Sequence, residues 1–264
     1  MTGDRAEILY RRFRERFRLE PTACQDSLFR DVASFAVCDD ADVLVVNGYA
    51  GTGKTSAMSA VTLALRDFGV KSVLLAPTGR AAKVFSSLSG RPAYTIHKHI
   101  YRQKSVGADG YGSFSLAPNK AVKTLFIVDE ASLIGIDSAQ QVNSTSLFGT
   151  GNLLEDLVAF VRSGDDCRLV LVGDAAQLPP VGMEASPALS REYMDGFGGV
   201  RFSTLTSVVR QERESGILRN ATMLRERISA CSPDETFDDV KLDLRGIDDV
   251  ERIGGGELID TLSD

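Results

Sequence analysis

A glycine-rich segment between an apolar run and a helix-forming stretch constrains this chain more than any other feature. Residues 48–55 read GYAGTGKT and fit the pattern G-x-x-x-x-G-K-[ST], in which backbone N–H groups surround a phosphate. The β-branched run at 43–46 predicts a strand before the segment, and residues 57–68 predict a helix after it. This order of strand, loop and helix is that of a phosphate-binding P-loop, which belongs to α/β folds.

The chemistry of this loop predicts what it binds. We expect Lys54 to contact the β and γ phosphates of ATP and the Thr55 hydroxyl to bind Mg²⁺. A dinucleotide-binding loop is excluded, because Ser56 stands where that fingerprint requires glycine or alanine. The predicted nucleotide-binding residues of the loop are Gly48, Ala50, Gly51, Thr52, Gly53, Lys54, Thr55 and Ser56.

Three further apolar runs define the fold class. Residues 72–76 are apolar after Ser72, and residues 125–128 and 169–172 are apolar throughout. Such runs, which do not alternate with polar residues, are typical of parallel strands covered on both faces. Helix-compatible segments lie between them, so the chain is predicted to be α/β with a parallel sheet and helices on both faces. Residues 102–122 interrupt this rhythm with bases, glycines and a proline, and they predict a small hairpin inserted between strands.

An acidic pair follows the run at 125–128 directly. A P-loop site needs a second metal-side carboxylate at the end of another strand, so we expect Asp129 to hold Mg²⁺ together with Thr55. Glu130 is then placed to orient or deprotonate the attacking water. Adjacent acids at a strand end are also common surface features, and the P-loop is what favours the catalytic interpretation.

Two more residues are candidates for the chemistry of the γ-phosphate. Gln177 follows the run at 169–172 and is expected to sense that phosphate, while Arg210 is a candidate arginine finger that neutralises developing charge. Spacing alone assigns neither role. A surface ion pair is the alternative for Arg210.

Composition and charge exclude several classes of protein. The chain is 43% hydrophobic and 25% charged, as ordinary globular domains are, and its apolar runs are too short to cross a membrane. The four cysteines form no C-x-x-C pair, which predicts reduced thiols in a cytoplasmic protein. At the arginine-rich amino end, Leu9, Phe13 and Phe17 recur every four residues and predict a helix rather than a targeting peptide.

Six sequence blocks follow one another in the chain and point to a family. They are GYAGTGKTS (48–56), APTGRAAKVF (76–85), TIHK (95–98), IVDEAS (127–132), GDAAQLPPVG (173–182) and LTSVVRQ (205–211). In combination they resemble the superfamily 1 DNA helicases, and their order and their residues are most similar to those of the RecD/Dda branch. The resemblance covers about residues 18–228 and implies a RecA-like motor that moves 5′ to 3′ on single-stranded DNA.

The resemblance also implies roles at the nucleotide. Gln25 matches the glutamine that reads adenine ahead of the P-loop. Asp129 and Glu130 match the metal ligand and the catalytic base. Gln177 matches the γ-phosphate sensor and Arg210 the arginine finger.

Further roles implied by the resemblance concern DNA. The residues that match its backbone-holding segments are Pro77, Thr78, Thr95 and His97. Residues 99–122 match the insertion that forms a strand-separating pin, with Phe114 or Tyr111 as the aromatic tip. Packing of Phe114 against the body of the domain is the alternative.

The domain organisation follows from the extent of the match. Residues 1–230 are predicted to form the first RecA-like domain, and residues 231–264, with a net charge of −8, an acidic tail that leads to a second such domain outside the chain. By itself the chain is expected to be a monomer that binds ATP with Mg²⁺ and hydrolyses it poorly. Two alternatives remain: a P-loop ATPase that remodels proteins, and a non-hydrolysing, ATP-dependent DNA-binding module.

Overall fold

Eight strands and eight α-helices occur in the part of the chain that the structure describes. The computed structural model describes residues 2–106, 112–136, 148–207, 215–230, 241–244, 249–254, 256 and 261. The strands are β1 (Val43–Gly48), β2 (Lys71–Ala76), β3 (Ala93–Thr95), β4 (Tyr101–Val106), β5 (Gly112–Leu116), β6 (Thr124–Val128), β7 (Arg168–Gly173) and β8 (Val200–Leu205). The helices are α1 (Thr2–Phe17), α2 (Ala23–Val37), α3 (Lys54–Asp67), α4 (Gly79–Ser89), α5 (Ile96–Ile100), α6 (Leu153–Arg162), α7 (Arg191–Asp195) and α8 (Gly216–Ala230).

Six of the strands form one parallel sheet in the order β3-β2-β6-β7-β1-β8. This sheet lies within residues 1–207, the first of two compact units into which the chain divides. Because the strands are parallel, the loops after β1, β2, β6 and β7 all leave the same edge of the sheet. The P-loop, the Pro77–Thr78 segment and the acidic pair therefore lie along one edge.

Side chains of the central strands alternate between two apolar clusters, one on each face. Leu44 and Val46 of β1 enter a cluster with residues of α1, α2, α3 and α4. Val43 and Val45 enter a second cluster with residues of α5, α6 and α7. Helices therefore cover both faces of the sheet, and the predicted α/β class is confirmed.

Local sequence signals account for the first two helices. The predicted apolar face of α1 is buried at Leu9, Phe13 and Phe17. Thr22 caps α2 by accepting a hydrogen bond from the backbone N–H of Gln25, whose side chain bonds back to the N–H of Thr22. This reciprocal capping box satisfies two amides that the first helical turn leaves without partners.

The two outer strands of the sheet, β3 and β8, are not predicted from the sequence. β3 has three residues, and β8 mixes Arg201, Ser203 and Thr204 with apolar residues. An edge strand pairs on one side alone and contacts fewer neighbours, so its sequence carries a weaker apolar signal.

The predicted insertion forms an antiparallel hairpin of β4 and β5. Tyr101 pairs with Leu116 at its base, and Val106 pairs with Gly112 near the turn. The hairpin predicted within residues 99–122 is therefore confirmed, while residues 107–111 lie outside the described residues.

The second unit, residues 208–264, contains α8 and short pieces of the acidic tail. Asp249 accepts hydrogen bonds from the Ser215 hydroxyl at 2.6 Å and from the Gly216 N–H at 2.8 Å. Its carboxylate thereby caps the amino end of α8, and the Ser215 bond lowers its pKa. The boundary between the two compact units lies after Ser207. The predicted domain limits at residues 230 and 231 stay a prediction.

Among the described helices, none is long and apolar enough to cross a membrane.

Candidate functional site

The P-loop connects the end of β1 to the start of α3 and has the backbone geometry of a phosphate cradle. Gly51 and Gly53 adopt φ values of +75° and +74°, in the left-handed region that favours glycine. The Lys54 ammonium donates to the backbone oxygens of Gly48 at 2.5 Å and Tyr49 at 3.0 Å, so it lies against the loop. With the positive end of α3 beside them, these groups fit the triphosphate of a nucleotide.

Thr55 and Asp129 meet beside this loop. The Thr55 hydroxyl donates to Asp129 Oδ2 at 3.1 Å, although 74 residues separate the two in the chain. Asp129 is 6% exposed, and burial raises its pKa against the opposing effect of hydrogen bonds from Glu130 N–H and Thr55. Magnesium is commonly held by one or two protein oxygens together with substrate phosphates and water, and this pair fits that donor set.

Glu130 adjoins the pair in an unusual backbone conformation. Its φ is +57°, and its N–H donates to Asp129 Oδ1 at 3.0 Å. Burial raises the pKa of its half-buried carboxyl, and the nearby charges of Asp129 and Asp174 raise it further. A carboxylate with a raised pKa is a better proton acceptor, which suits a general base.

A second loop, residues 174–177 after β7, is held at the site by two hydrogen bonds. The Ser132 hydroxyl donates to Gln177 Oε1 at 3.3 Å, and the Ala175 N–H donates to Asn47 Oδ1 at 3.0 Å. The predicted sensor Gln177 is therefore linked to the segment that follows Glu130. Asn47 and Ser132 were not among the predicted site residues. Their position, directly before Gly48 and within the IVDEAS block, was the available signal.

Gln25 contacts the P-loop from α2. Its side chain is 2% exposed, and its Nε2 donates to the backbone oxygen of Thr52 at 2.9 Å while its Oε1 accepts from Thr22 N–H at 3.0 Å. The amide thus ties the capped end of α2 to the loop. Contact of Gln25 with adenine stays a prediction, and the structure adds this positioning contact to it.

The predicted DNA-contacting residues lie at the carboxyl ends of β2 and β3. Thr78 caps α4 by accepting from Ala81 N–H at 3.2 Å, and Thr95 caps α5 by accepting from Lys98 N–H at 3.3 Å. Pro77 precedes Thr78 and is half-buried. The structure brings these residues to the same edge of the sheet as the P-loop, and their contact with DNA stays a prediction.

Phe114 does not lie at the tip of the hairpin. It pairs with Gln103 within the ladder, and its ring stacks on Phe148 with centroids 4.6 Å apart and an interplanar angle of 18°. Phe148 also contacts the rings of His97 at 5.2 Å and Tyr101 at 5.3 Å. We call these four aromatic residues the hairpin dock. The expectation of an aromatic tip at Phe114 is corrected, because its ring instead attaches the hairpin to the body of the domain.

A buried carboxylate is hydrogen-bonded to Tyr101 of the hairpin dock. Asp156 is 3% exposed and accepts hydrogen bonds from the Tyr101 hydroxyl at 2.6 Å and from Thr150 N–H at 3.0 Å. Gly149 donates to the Phe114 carbonyl at 2.9 Å, and a Cβ at Gly149 would lie 1.9 Å from Asp156 Oδ2. The turn after Phe148 therefore requires glycine. The predicted residues Arg210 and Tyr111 lie outside the described residues.

We expect Phe148→Leu to loosen the hairpin without disturbing the nucleotide site. Leucine retains apolar bulk but loses ring stacking, which contributes about 1 kcal/mol for an aromatic pair. Hydrogen exchange of the β4 and β5 amides should then accelerate about fivefold. Amides of β1 and α3 should exchange at the unaltered rate, and Phe68→Leu, at a partly exposed ring, is the matched control. Unchanged exchange in the hairpin would show that the hairpin dock does not hold it.

Comparison with known proteins assigns the chain to a family. A family model described as an AAA domain matches residues 30–231. The chain belongs to this family. The ATP-dependent RecD2 DNA helicase of Deinococcus radiodurans is 34% identical over 139 residues, which are 53% of this chain and 16% of that protein. An uncharacterized protein of Methanocaldococcus jannaschii is 29% identical over 149 residues, 52% of this chain and 11% of that protein.

Among solved structures, the Pif1 helicase from Candida albicans is similar with 21% identity and a TM-score of 0.47. The match covers 82% of this chain and 46% of that chain. The AAA-domain match and the RecD2 relative confirm the predicted resemblance to superfamily 1 helicases of the RecD-like branch, and the fold is that of a RecA-like P-loop domain. The chain spans about a sixth or less of the length of the curated relatives that it matches.

Proposed function

We propose that this chain is a helicase motor domain that binds and hydrolyses ATP with Mg²⁺ and thereby moves 5′ to 3′ along single-stranded DNA. The observation that carries the proposal is the 3.1 Å contact between Thr55 and Asp129, with Glu130 beside it. A hydroxyl at the start of α3 and a carboxylate at the end of β6 converge there as a magnesium site requires.

Each side chain has a distinct task in the proposed reaction. Magnesium, when bound, neutralises charge on the β and γ phosphates. Thr55 and Asp129 hold it, and Lys54 turns from the loop carbonyls to the phosphates. Glu130 accepts the proton of the attacking water, for which its raised pKa suits it.

Communication between nucleotide and DNA is assigned to the loop after β7 and the segment after Glu130, which the hydrogen bond between Ser132 and Gln177 joins. Gln177 senses the γ-phosphate, and its bond to Ser132 passes the change to the segment after Glu130. Arg210 is proposed to stabilise charge in the transition state. Pro77, Thr78, Thr95 and His97 form the DNA track at the carboxyl edge of the sheet.

The direction of movement rests on the resemblance to the RecD/Dda branch, and DNA as the substrate is also supported by the similarity to the RecD2 DNA helicase. We further propose that the motor acts as a monomer in the cytoplasm. Protein remodelling and nucleotide-dependent DNA binding without hydrolysis are the competing functions. Threonine hydroxyls and backbone amides at the track positions favour DNA, because such groups contact phosphates in protein–DNA interfaces.

The proposal is tested by anisotropy of a labelled single-stranded oligothymidine, with and without a non-hydrolysable ATP analogue and Mg²⁺, over a salt series. We expect binding that weakens with salt, with a log–log slope of about −0.7 for each phosphate contacted, and an affinity that changes when the analogue binds. Analogue binding without any DNA binding at low salt would contradict the helicase assignment and favour protein remodelling. Binding of both with no hydrolysis in the full-length protein would favour the non-hydrolysing module.

A further inference from the structure

A long stretch of the chain is basic although the protein as a whole is acidic. The protein has a net charge of −6, yet residues 68–108 contain seven lysines and arginines and no aspartate or glutamate. This stretch includes α4, β3 and α5, on the side of the sheet where β3 forms the edge. A local excess of positive charge of this size attracts a polyanion.

A groove of about 460 Å³ lies between α4 and the β3–α5 segment. Its polar and aromatic lining is Lys83, Ser86, Ser87, Tyr94, Thr95 and Lys98. The described residues that line it include two lysines and no carboxylate. Lysine ammonium and serine hydroxyl groups are donors to phosphate, so the lining matches a phosphorylated ligand.

Tyr94 gives the groove an aromatic surface. The ring is 41% exposed although Tyr94 lies in a strand, where it pairs with Leu75. The imidazole of His99 stacks with it at 6.2 Å and 29°, and Lys98 Nζ lies 6.0 Å from its centroid. Burial lowers the pKa of His99, which favours the neutral form of the imidazole. An exposed ring with an imidazole packed beside it is a platform for a flat ligand.

The groove adjoins the proposed track, because Thr95 belongs to both and Gly79, directly after Thr78, also lines it. We infer that the groove is a subsite for one nucleotide of single-stranded DNA, in which the base stacks on Tyr94 and Lys83 and Lys98 hold the adjoining phosphates. This inference rests on the proposed function and adds Tyr94, which lies outside the six sequence blocks, to the residues of the track. Stacking on an aromatic ring tolerates any base, which suits a motor that moves along DNA of every sequence.

The inference is tested with the anisotropy assay on an oligothymidine and on an abasic oligonucleotide of the same length. Tyr94→Leu should weaken binding of oligothymidine about fivefold or more, since base–aromatic stacking has that magnitude. Binding of the abasic strand should be unchanged, and Tyr94→Trp should restore binding of oligothymidine. Equal losses on both strands would contradict stacking on Tyr94.

The lysines are tested through the salt dependence. Lys83→Gln and Lys98→Gln should each reduce the magnitude of the log–log slope by about 0.7, as the loss of one phosphate contact predicts. Lys71→Gln, at the opposite end of β2, is the matched control and should leave the slope unchanged. If the unaltered chain binds oligothymidine and all three variants behave alike, the groove assignment is wrong while the proposed function stands. If the unaltered chain does not bind, the DNA track itself is contradicted.

Discussion

ATP turnover should fall about 10²- to 10⁴-fold when Glu130 is replaced by glutamine, while ATP binding persists. Glutamine has nearly the same shape, but its amide oxygen does not accept a proton from the attacking water. The contacts of Lys54, Thr55 and Asp129 with nucleotide and metal remain. The measurement is phosphate release with single-stranded DNA in the full-length protein that carries this domain, alongside the affinity for a fluorescent ATP analogue.

The same substitution should not destabilise the domain. Burial and the neighbouring acids raise the pKa of Glu130, so its ionised form disfavours the folded state at neutral pH. Glu130→Gln should therefore raise the thermal midpoint near neutral pH. This difference should disappear as the pH falls below the ordinary pKa of a glutamate, because the carboxyl is then protonated in both states. Normal turnover with a stable fold would exclude Glu130 as the base.

Replacement of Lys54 by alanine should weaken ATP binding by about 2–5 kcal/mol, or at least about thirtyfold. The ammonium is the positive side chain that the P-loop itself supplies, and its removal leaves the phosphate charge to backbone amides and the metal. Isothermal titration with a non-hydrolysable analogue and Mg²⁺ measures the loss. Unchanged affinity would contradict the P-loop assignment.

One measurement and one control variant separate a charge effect from a folding effect at Lys54. In the structure, Lys54 also donates to the carbonyls of Gly48 and Tyr49, so alanine removes two contacts of the loop. A thermal midpoint measured without nucleotide reports any loss of fold. Lys71→Ala is the matched control, since it removes the same charge at an exposed position at the start of β2. It should bind nucleotide as the unaltered chain does.

Local sequence determined the chemistry-bearing elements of this protein. Gly51 and Gly53 mark the P-loop because few other residues adopt positive φ without strain. Glycine at these two positions therefore predicts the turn from the sequence alone. The apolar runs of β1 and β6 are buried on both faces, so their composition identifies them. Asp129 and Glu130 could then be placed at a strand end by counting residues.

The tertiary structure alone decided which distant side chains meet. Strand order places β7 between β1 and β6, and this order brings the loop after β7 to Asn47 of β1 and to Ser132 after β6. No local pattern encodes such pairing, because it depends on how strands assemble rather than on their composition. The outer strands β3 and β8 were missed for a related reason, since edge strands bury fewer side chains.

Side-chain contacts changed the interpretation of two residues that the sequence had singled out. Phe114 or Tyr111 was expected at the hairpin tip, with packing of Phe114 against the body of the domain as the alternative. The structure shows that packing, because the Phe114 ring stacks on Phe148, which stands 34 positions later in the chain. Gln25 was expected to face adenine, and its amide also binds the backbone of Thr52. Sequence therefore determined which groups the site contains, because residue type and local spacing specify chemistry. Packing determined where those groups point, because orientation depends on neighbours that are remote in the chain.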